Sequence, residues 1–174
     1  MRSAVFLLLA GLAAASSQHV PAAAAPPPAV VWHSWDRGLE EARASGRPIL
    51  VDVYTDWCGW CRRMKADVYA RPEVRAYLAE RFVTVSLNAE GADAASHEGR
   101  SYTSRSLAAR FGVSGYPTTL FLRADGGHQV NVPGYIEPVR FLQVLRFIGE
   151  GHMDRGVSFQ EFSKPATPGG AERR

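Results

Sequence analysis

The chain has 174 residues, 46% of them hydrophobic and 21% charged, the balance of one compact domain with short appendages, which excludes a disordered or fibrous protein. Its formal net charge is only +3 and its arginines are scattered, so the composition excludes a dedicated nucleic-acid-binding surface.

Met1-Arg2-Ser3 followed by the apolar stretch from Ala4 to Ala15 has the basic start and short apolar core of a secretory signal peptide. The stretch falls short of the roughly 20 apolar residues of a membrane helix, and no later segment approaches that length, so no membrane span is expected in the mature chain. A periplasmic or secreted location follows. Residues 16–29 are Ala/Pro-rich and end near Pro26-Pro27-Pro28, a spacer with little apolar surface to bury. The expected organisation is a signal peptide (1–15), a linker (16–29), one folded domain (30–150) and a C-terminal tail (151–174).

Within the domain, Trp32, Trp35, Leu39 and Ala42 at near-helical spacing predict a first helix closed by Gly46 and Pro48. Ile49–Tyr54 is a nearly continuous apolar run, the pattern of a central strand buried on both faces, interrupted by one carboxylate, Asp52. Cys61, Met64 and Val68 recur at i, i+3 and i+7, which predicts a helix from about Cys58 with Cys61 on its inward stripe. Pro72 opens a second short helix holding Val74, Tyr77 and Leu78, and Phe82–Leu87 reads as a strand, giving β-α-β. Ala89–Thr103 reads as a long polar loop, of the kind that is either functional or mobile. Ser104 is the expected N-cap of a helix carrying Leu107, Ala108 and Phe111, with Gly112 as its stop. Strands over Thr118–Leu122 and His128–Val132 flank the hairpin signal Asp125-Gly126-Gly127. Pro138 opens a last core-facing helix through Phe141, Leu142, Leu145 and Ile148 to Gly149, and Val157–Phe162 reads as a short docking segment in the tail.

The two cysteines, Cys58 and Cys61, stand three positions apart in Trp57-Cys58-Gly59-Trp60-Cys61. Three uses compete. A structural bridge closing so small a loop constrains the unfolded chain by only roughly 2 kcal/mol, against about 3 for a 15-residue loop. A zinc site needs two more ligands, and His33, His97, His128 and His152 stand alone. Redox chemistry needs nothing else in the chain, and an oxidising compartment permits it. At a helix start, the Cys58 sulfur meets unpaired backbone N–H groups and the positive end of the dipole, which favour thiolate. Lowering a thiol pKa from about 8.5 to about 7 raises the thiolate fraction at pH 7 from roughly 3% to roughly half. Cys58 is therefore the expected, accessible nucleophile, and Cys61, one turn on and inward, the resolving thiol.

Ile49-Leu50-Val51-Asp52, Trp57-Cys58-Gly59-Trp60-Cys61, Gly115-Tyr116-Pro117-Thr118 before a strand, and Gly134 before the last helix together resemble the thioredoxin superfamily over about Val31 to Glu150. Tyr54 to Cys61 is similar to the branch of exported bacterial thioredoxin-like proteins, including sulfur-oxidation-associated ones and the C-terminal domain of the transmembrane disulfide reductase. The resemblance implies an α/β thioredoxin fold, a central mixed sheet flanked by helices, here with an N-terminal extension. It implies that Asp52, six positions before Cys58, is a buried carboxylate serving Cys61 as general base, its pKa raised by desolvation. Ser86 stands where thioredoxins carry a lysine near that carboxylate. Pro117 matches the superfamily's cis-proline, with Tyr116 offering its backbone to an extended substrate strand. Trp57, Trp60, Gly115, Tyr116 and Gly134 complete the implied substrate-binding set. Arg62, Arg63 and Lys65 follow directly; cations near a thiolate favour the reduced form, and the competing reading is a solvated helix face.

The function these readings imply is a periplasmic thiol-disulfide oxidoreductase that reduces disulfides of client proteins through a mixed disulfide. It would need no cofactor beyond its own Cys58–Cys61 disulfide, no metal and no nucleic acid, act as a monomer, and be recharged by a membrane electron-donor protein. An oxidase or isomerase is the rival within the same chemistry, and a non-catalytic thioredoxin-fold binding module the rival outside it.

Overall fold

In the computed structural model of the protein, residues 27–164 are described. The expected signal peptide, most of the linker and the end of the tail lie outside them.

The first element, β1 (Trp32–His33), is a two-residue strand laid parallel to a later strand with Trp32 opposite Thr84. The first helix, α1, begins only at Trp35 and runs to Ser45. Trp32 is thus not part of that helix, which corrects the reading from spacing. The two tryptophans lie in different cores, Trp35 with Leu39 and Ala42, and Trp32 with Tyr69 at 5.0 Å between ring centroids. Two residues on opposite faces of a sheet cannot share one helical stripe. Gly46 closes α1 in the left-handed region (φ 72°), its N–H donating to Ala42 O.

β2 (Ile49–Tyr54) is the centre of a five-stranded sheet, flanked by parallel β3 (Val83–Asn88) and antiparallel β6 (Thr118–Leu122), with β7 (His128–Pro133) antiparallel to β6 at the far edge. Alternation along β2 sends Ile49, Val51 and Val53 into a core with Trp35, Leu107 and Phe111. It sends Leu50 into a second core with Met64, Leu78, Phe121 and Phe141. Asp52 shares the face of Leu50 by the same period of two.

That second face is covered by three helical segments. α2 (Gly59–Arg63) passes without a break into a π-helical turn (Met64–Tyr69), α3 (Pro72–Arg81) follows, and α5 (Pro138–Gly149) packs beside them. The first face carries α1 and α4 (Ser104–Arg110). Thr103, one residue earlier than expected, caps α4 by accepting from Ser106 N–H in a capping box.

The stretch 89–103, expected as a polar loop, is a β-hairpin of β4 (Ala94–His97) and β5 (Arg100–Thr103). Its polarity conceals an alternation in which Ala95 and His97 point inward. His97 packs edge-on against Trp35 and Phe111, Trp35 Nε1 donates to Ser96 O at 3.0 Å, and Ser96 N–H donates to Asp36 Oδ1 at 2.7 Å. Beyond α5, the short α6 (Phe159–Phe162) lays both of its phenylalanines against Phe147, at 5.3 and 5.5 Å, so the expected docking segment docks on α5.

One glycine sets how closely α1 approaches the sheet. A Cβ on Gly38 would run into Val85 Cγ2 of β3. Gly38→Ala is therefore expected to destabilise the domain by about 2 kcal/mol or more, since overpacking outweighs the better helix propensity of alanine. Urea unfolding checks this, and a stabilised variant would show that α1 can back away.

Candidate active site

β2 ends at Tyr54, and the chain turns through Thr55–Trp57 to place Cys58 at the N-cap of α2 in extended conformation (φ −69°, ψ 104°). Cys58 and Cys61 are joined in a disulfide with Cα atoms 5.3 Å apart. The Cys61 backbone N–H donates to Cys58 Sγ at 3.0 Å. An N-cap acceptor normally is an oxygen; here it is the sulfur, so a thiolate formed at Cys58 inherits a backbone donor and the positive end of the helix. Cys61 sits behind it, on the inward stripe with Met64 and Val68. Contrary to expectation, Cys58 is not openly accessible: it is only 4% exposed.

Two large side chains of the same motif, Trp57 and Trp60, are 65% and 54% exposed. The Trp57 ring meets Tyr116 edge-on at 6.0 Å, and its Nε1 donates to Glu90 Oε2 at 3.0 Å. Trp60 lies 5.5 Å from Tyr135, and the Arg63 guanidinium covers both rings, at 5.3 and 5.7 Å from their centroids. Each tryptophan of the cysteine motif is thus held by an aromatic partner and a charged group. A hollow of about 620 Å³ between β7, α5 and the tail is lined by Val132, Ile136, Phe147 and Phe159 among others and by neither cysteine.

Antiparallel pairing of β6 with β2, Val53 opposite Thr118, brings the segment before β6 to the same end of the sheet as the disulfide. There the Tyr116–Pro117 peptide is cis. Gly115 O accepts from Thr118 Oγ1 at 2.8 Å, and Gly134 N–H donates to Pro117 O at 2.8 Å, closing the end of β7 onto it. Gly134 has φ 86°, a conformation that favours glycine there. Tyr116, Pro117 and Gly134 are thus joined at the disulfide end of the sheet, with Trp57 against Tyr116, while Trp60 packs against Tyr135, the residue after Gly134.

Asp52 is 1% exposed, opposite Ser86 on β3 and Thr119 on β6. Burial pushes its carboxyl up to about 6, opposed by the positive charge of Lys65 and by hydrogen bonding from Tyr69. Tyr69 OH donates to Oδ1 at 3.4 Å, while Oδ2 has no hydrogen-bond donor among the described residues and faces Lys65 Nζ at 3.9 Å. The Tyr69 phenol is itself held well above its ordinary range, by burial first and then by the Asp52 charge. Lys65 corrects the reading of Arg62, Arg63 and Lys65 as one solvated face. Tyr69, Tyr135 and Glu90 also belong to the site, and no local pattern singles out Tyr135 or Glu90. Tyr69 lies four residues after Lys65, a spacing that puts both on one side of a helical turn, and that was the available clue. Among the described residues no cluster of side chains suits a metal ion, and no helix is long and apolar enough to cross a membrane.

Comparison with known proteins agrees with this geometry. The chain is 34% identical over 113 residues to the thiol:disulfide interchange protein DsbD of Ralstonia nicotianae, covering 64% of this chain and 17% of that one. It is 35% identical over 92 residues to the thiol:disulfide interchange protein DsbD 2 of Pseudomonas aeruginosa, covering 52% and 14%. The chain thus spans about a sixth of the length of the curated relatives it matches. Among solved structures, a thioredoxin from Thermus thermophilus superposes with a TM-score of 0.56 at 29% identity, covering 72% of this chain and 96% of that one. The mixed sheet with helices on both faces is the thioredoxin fold. Residues 35–149, well over half of the sequence, match the family described as thioredoxin-like domain, and the chain belongs to that family.

Proposed function

We propose that the protein is a periplasmic thiol-disulfide oxidoreductase that reduces disulfides of client proteins through Cys58 and Cys61. The single observation that carries the reading is the 3.0 Å donation from Cys61 N–H to Cys58 Sγ, which prepares Cys58, of the two sulfurs, for life as a thiolate. The interchange activity named for the DsbD relatives supports it, and the apolar leader read in the sequence supports the compartment.

In the proposed cycle the Cys58 thiolate attacks one sulfur of a client disulfide. A Cys58–client S–S bond forms, the client bond breaks, and the second client sulfur leaves with the electron pair and takes a proton from water. Cys61 then gives its proton to Asp52 and attacks Cys58 Sγ; the mixed disulfide breaks and the first client sulfur leaves with the electron pair and takes a proton from water. Two electrons have moved from the dithiol to the client, and the Cys58–Cys61 disulfide remains. A dithiol donor must reduce that disulfide back to the Cys58/Cys61 dithiol, itself becoming a disulfide, and in an oxidising compartment a membrane electron-transporting protein fills that role. The aromatic pairs Trp57/Tyr116 and Trp60/Tyr135 receive the client segment around its cysteine, with the Tyr116 backbone available to an extended strand. No cofactor other than the disulfide takes part.

Direction is decided by the reduction potential of the pair measured against glutathione. A value near about −270 mV is expected and supports a reductase; a value near about −120 mV would overturn that direction in favour of an oxidase.

A further inference from the structure

The three cations that follow the disulfide do different things. Arg62 donates to Asp56 O at 3.1 Å, and Arg63 pairs with Asp67 while lying over Trp60 and Tyr135. Lys65 turns the other way. Its Nζ stands 3.9 Å above the centre of the Tyr54 ring and 3.9 Å from Asp52 Oδ2, while its side chain stays 44% exposed. One side chain thus spans from solvent to a carboxylate that solvent does not reach.

The surroundings of Asp52 make this contact weigh heavily. Its neighbours across the sheet, Ser86 on β3 and Thr119 on β6, are neutral hydroxyl residues. The π-helical turn supplies Tyr69, and α5 meets that turn with the Phe141 ring, 5.6 Å from Tyr69. The disulfide, which carries no charge, heads the same helix. Among the described residues Lys65 is the charged group that acts on Asp52. Both of the carboxylate's polar partners, Lys65 and Tyr69, belong to the Met64–Tyr69 turn, where the helix widens into π geometry. Such widenings recur at functional sites. At 3.9 Å the Lys65 contact is electrostatic, beyond the range of a direct hydrogen bond, and solvent screens it only from the lysine side because the carboxylate is buried. Because the ammonium remains in water, the pair avoids most of the desolvation cost of a buried cation.

We propose that Lys65 is a positioning residue for disulfide exchange, its ammonium holding the buried Asp52 in the ionised form that accepts the Cys61 proton during resolution of the mixed disulfide. The inference rests on the oxidoreductase reading above. In the step concerned, Cys61 S–H gives its proton to Asp52, the Cys61 sulfur bonds Cys58 Sγ, and the Cys58–client bond breaks with its electron pair leaving on the client sulfur.

The test follows oxidation of the reduced full-length protein by oxidised glutathione from about pH 5 to 9, in wild type, Lys65→Gln, Lys65→Met and Lys65→Arg, with Asp52 titrated by carboxyl NMR in each. The neutral variants are expected to move the midpoint of the resolving step, and of Asp52 with it, upward by about one pH unit, the low end for an opposite charge at this distance. Resolution below pH 6 then slows up to about tenfold, with the high-pH rate unchanged, and Lys65→Arg restores the wild-type profile. Two neutral variants guard against a fold defect in one. Profiles of both neutral variants that coincide with wild type would overturn the inference, as would Lys65→Arg shifting as far as they do. A wild-type protein that forms no mixed disulfide with glutathione would instead overturn the oxidoreductase reading, so the two failures are distinguishable.

Discussion

Cys58→Ser is expected to abolish disulfide exchange, by at least about a thousandfold, whereas Cys61→Ser is expected to keep the first half of the cycle and stop there with a client attached through Cys58. The asymmetry comes from the helix start. Cys58 Sγ receives the Cys61 N–H, while Cys61 lies inward with Met64 and Val68 and has no route to a client except through Cys58. Serine at 61 preserves the backbone N–H that supports the Cys58 thiolate, so the trap should form at close to the wild-type rate. Incubating each variant with a disulfide-containing protein and separating the products without reductant reads the outcome. Equal trapping through Cys61 in Cys58→Ser would reverse the assignment of the two thiols. No covalent capture by Cys61→Ser would favour a non-catalytic module whose disulfide stays closed.

Asp52→Asn is expected to stabilise the protein at neutral pH while slowing resolution of the mixed disulfide about a hundredfold. The Asp52 carboxyl stands at about 6 in the fold against an ordinary value of 3.8, because burial disfavours its charge. The folded state therefore binds more protons than the unfolded chain between these values. Stability falls as pH rises through that window and levels off above it. Converting the difference gives a penalty of up to roughly 3 kcal/mol at pH 7 and above, and essentially none below about pH 4. Asparagine keeps the shape, still accepts from Tyr69, and removes the buried charge. Urea unfolding of both proteins at low and at neutral pH checks the sign. The variant should match wild type in acid and exceed it at pH 7 to 8; a variant less stable at neutral pH would show that the Lys65 contact outweighs desolvation. Resolution rates on the same samples separate the chemical cost from the stability gain. The stability cost at Asp52 is what the proposed proton acceptor requires, a buried carboxyl whose pKa is raised toward neutrality.

The sequence by itself determined the central strand at Ile49–Tyr54, the helix behind the cysteines, the helices opened by Pro72 and Pro138, and the last hairpin. All of these are read from local periodicity and from turn and cap residues, which act over a few positions. It also determined the chemistry, since two cysteines three apart at a helix start need only their own backbone to become a redox pair. Only the tertiary structure decided what lies far apart in the chain. Trp32 left the first helix because pairing with Thr84, a contact across the sheet, outweighed a coincidence of spacing. The stretch 89–103 became a hairpin because Trp35 and Phe111 bury His97, a partnership invisible in a run of polar residues. Cys58 proved recessed, 4% exposed, although it stands at a helix start where an open thiol is expected. Lys65 proved to be a partner of Asp52 because a π-helical turn carries it and Tyr69 against the face of the sheet to which Asp52 points. Local pattern reports which way a side chain points along its own element; what it meets there depends on another element brought by the fold.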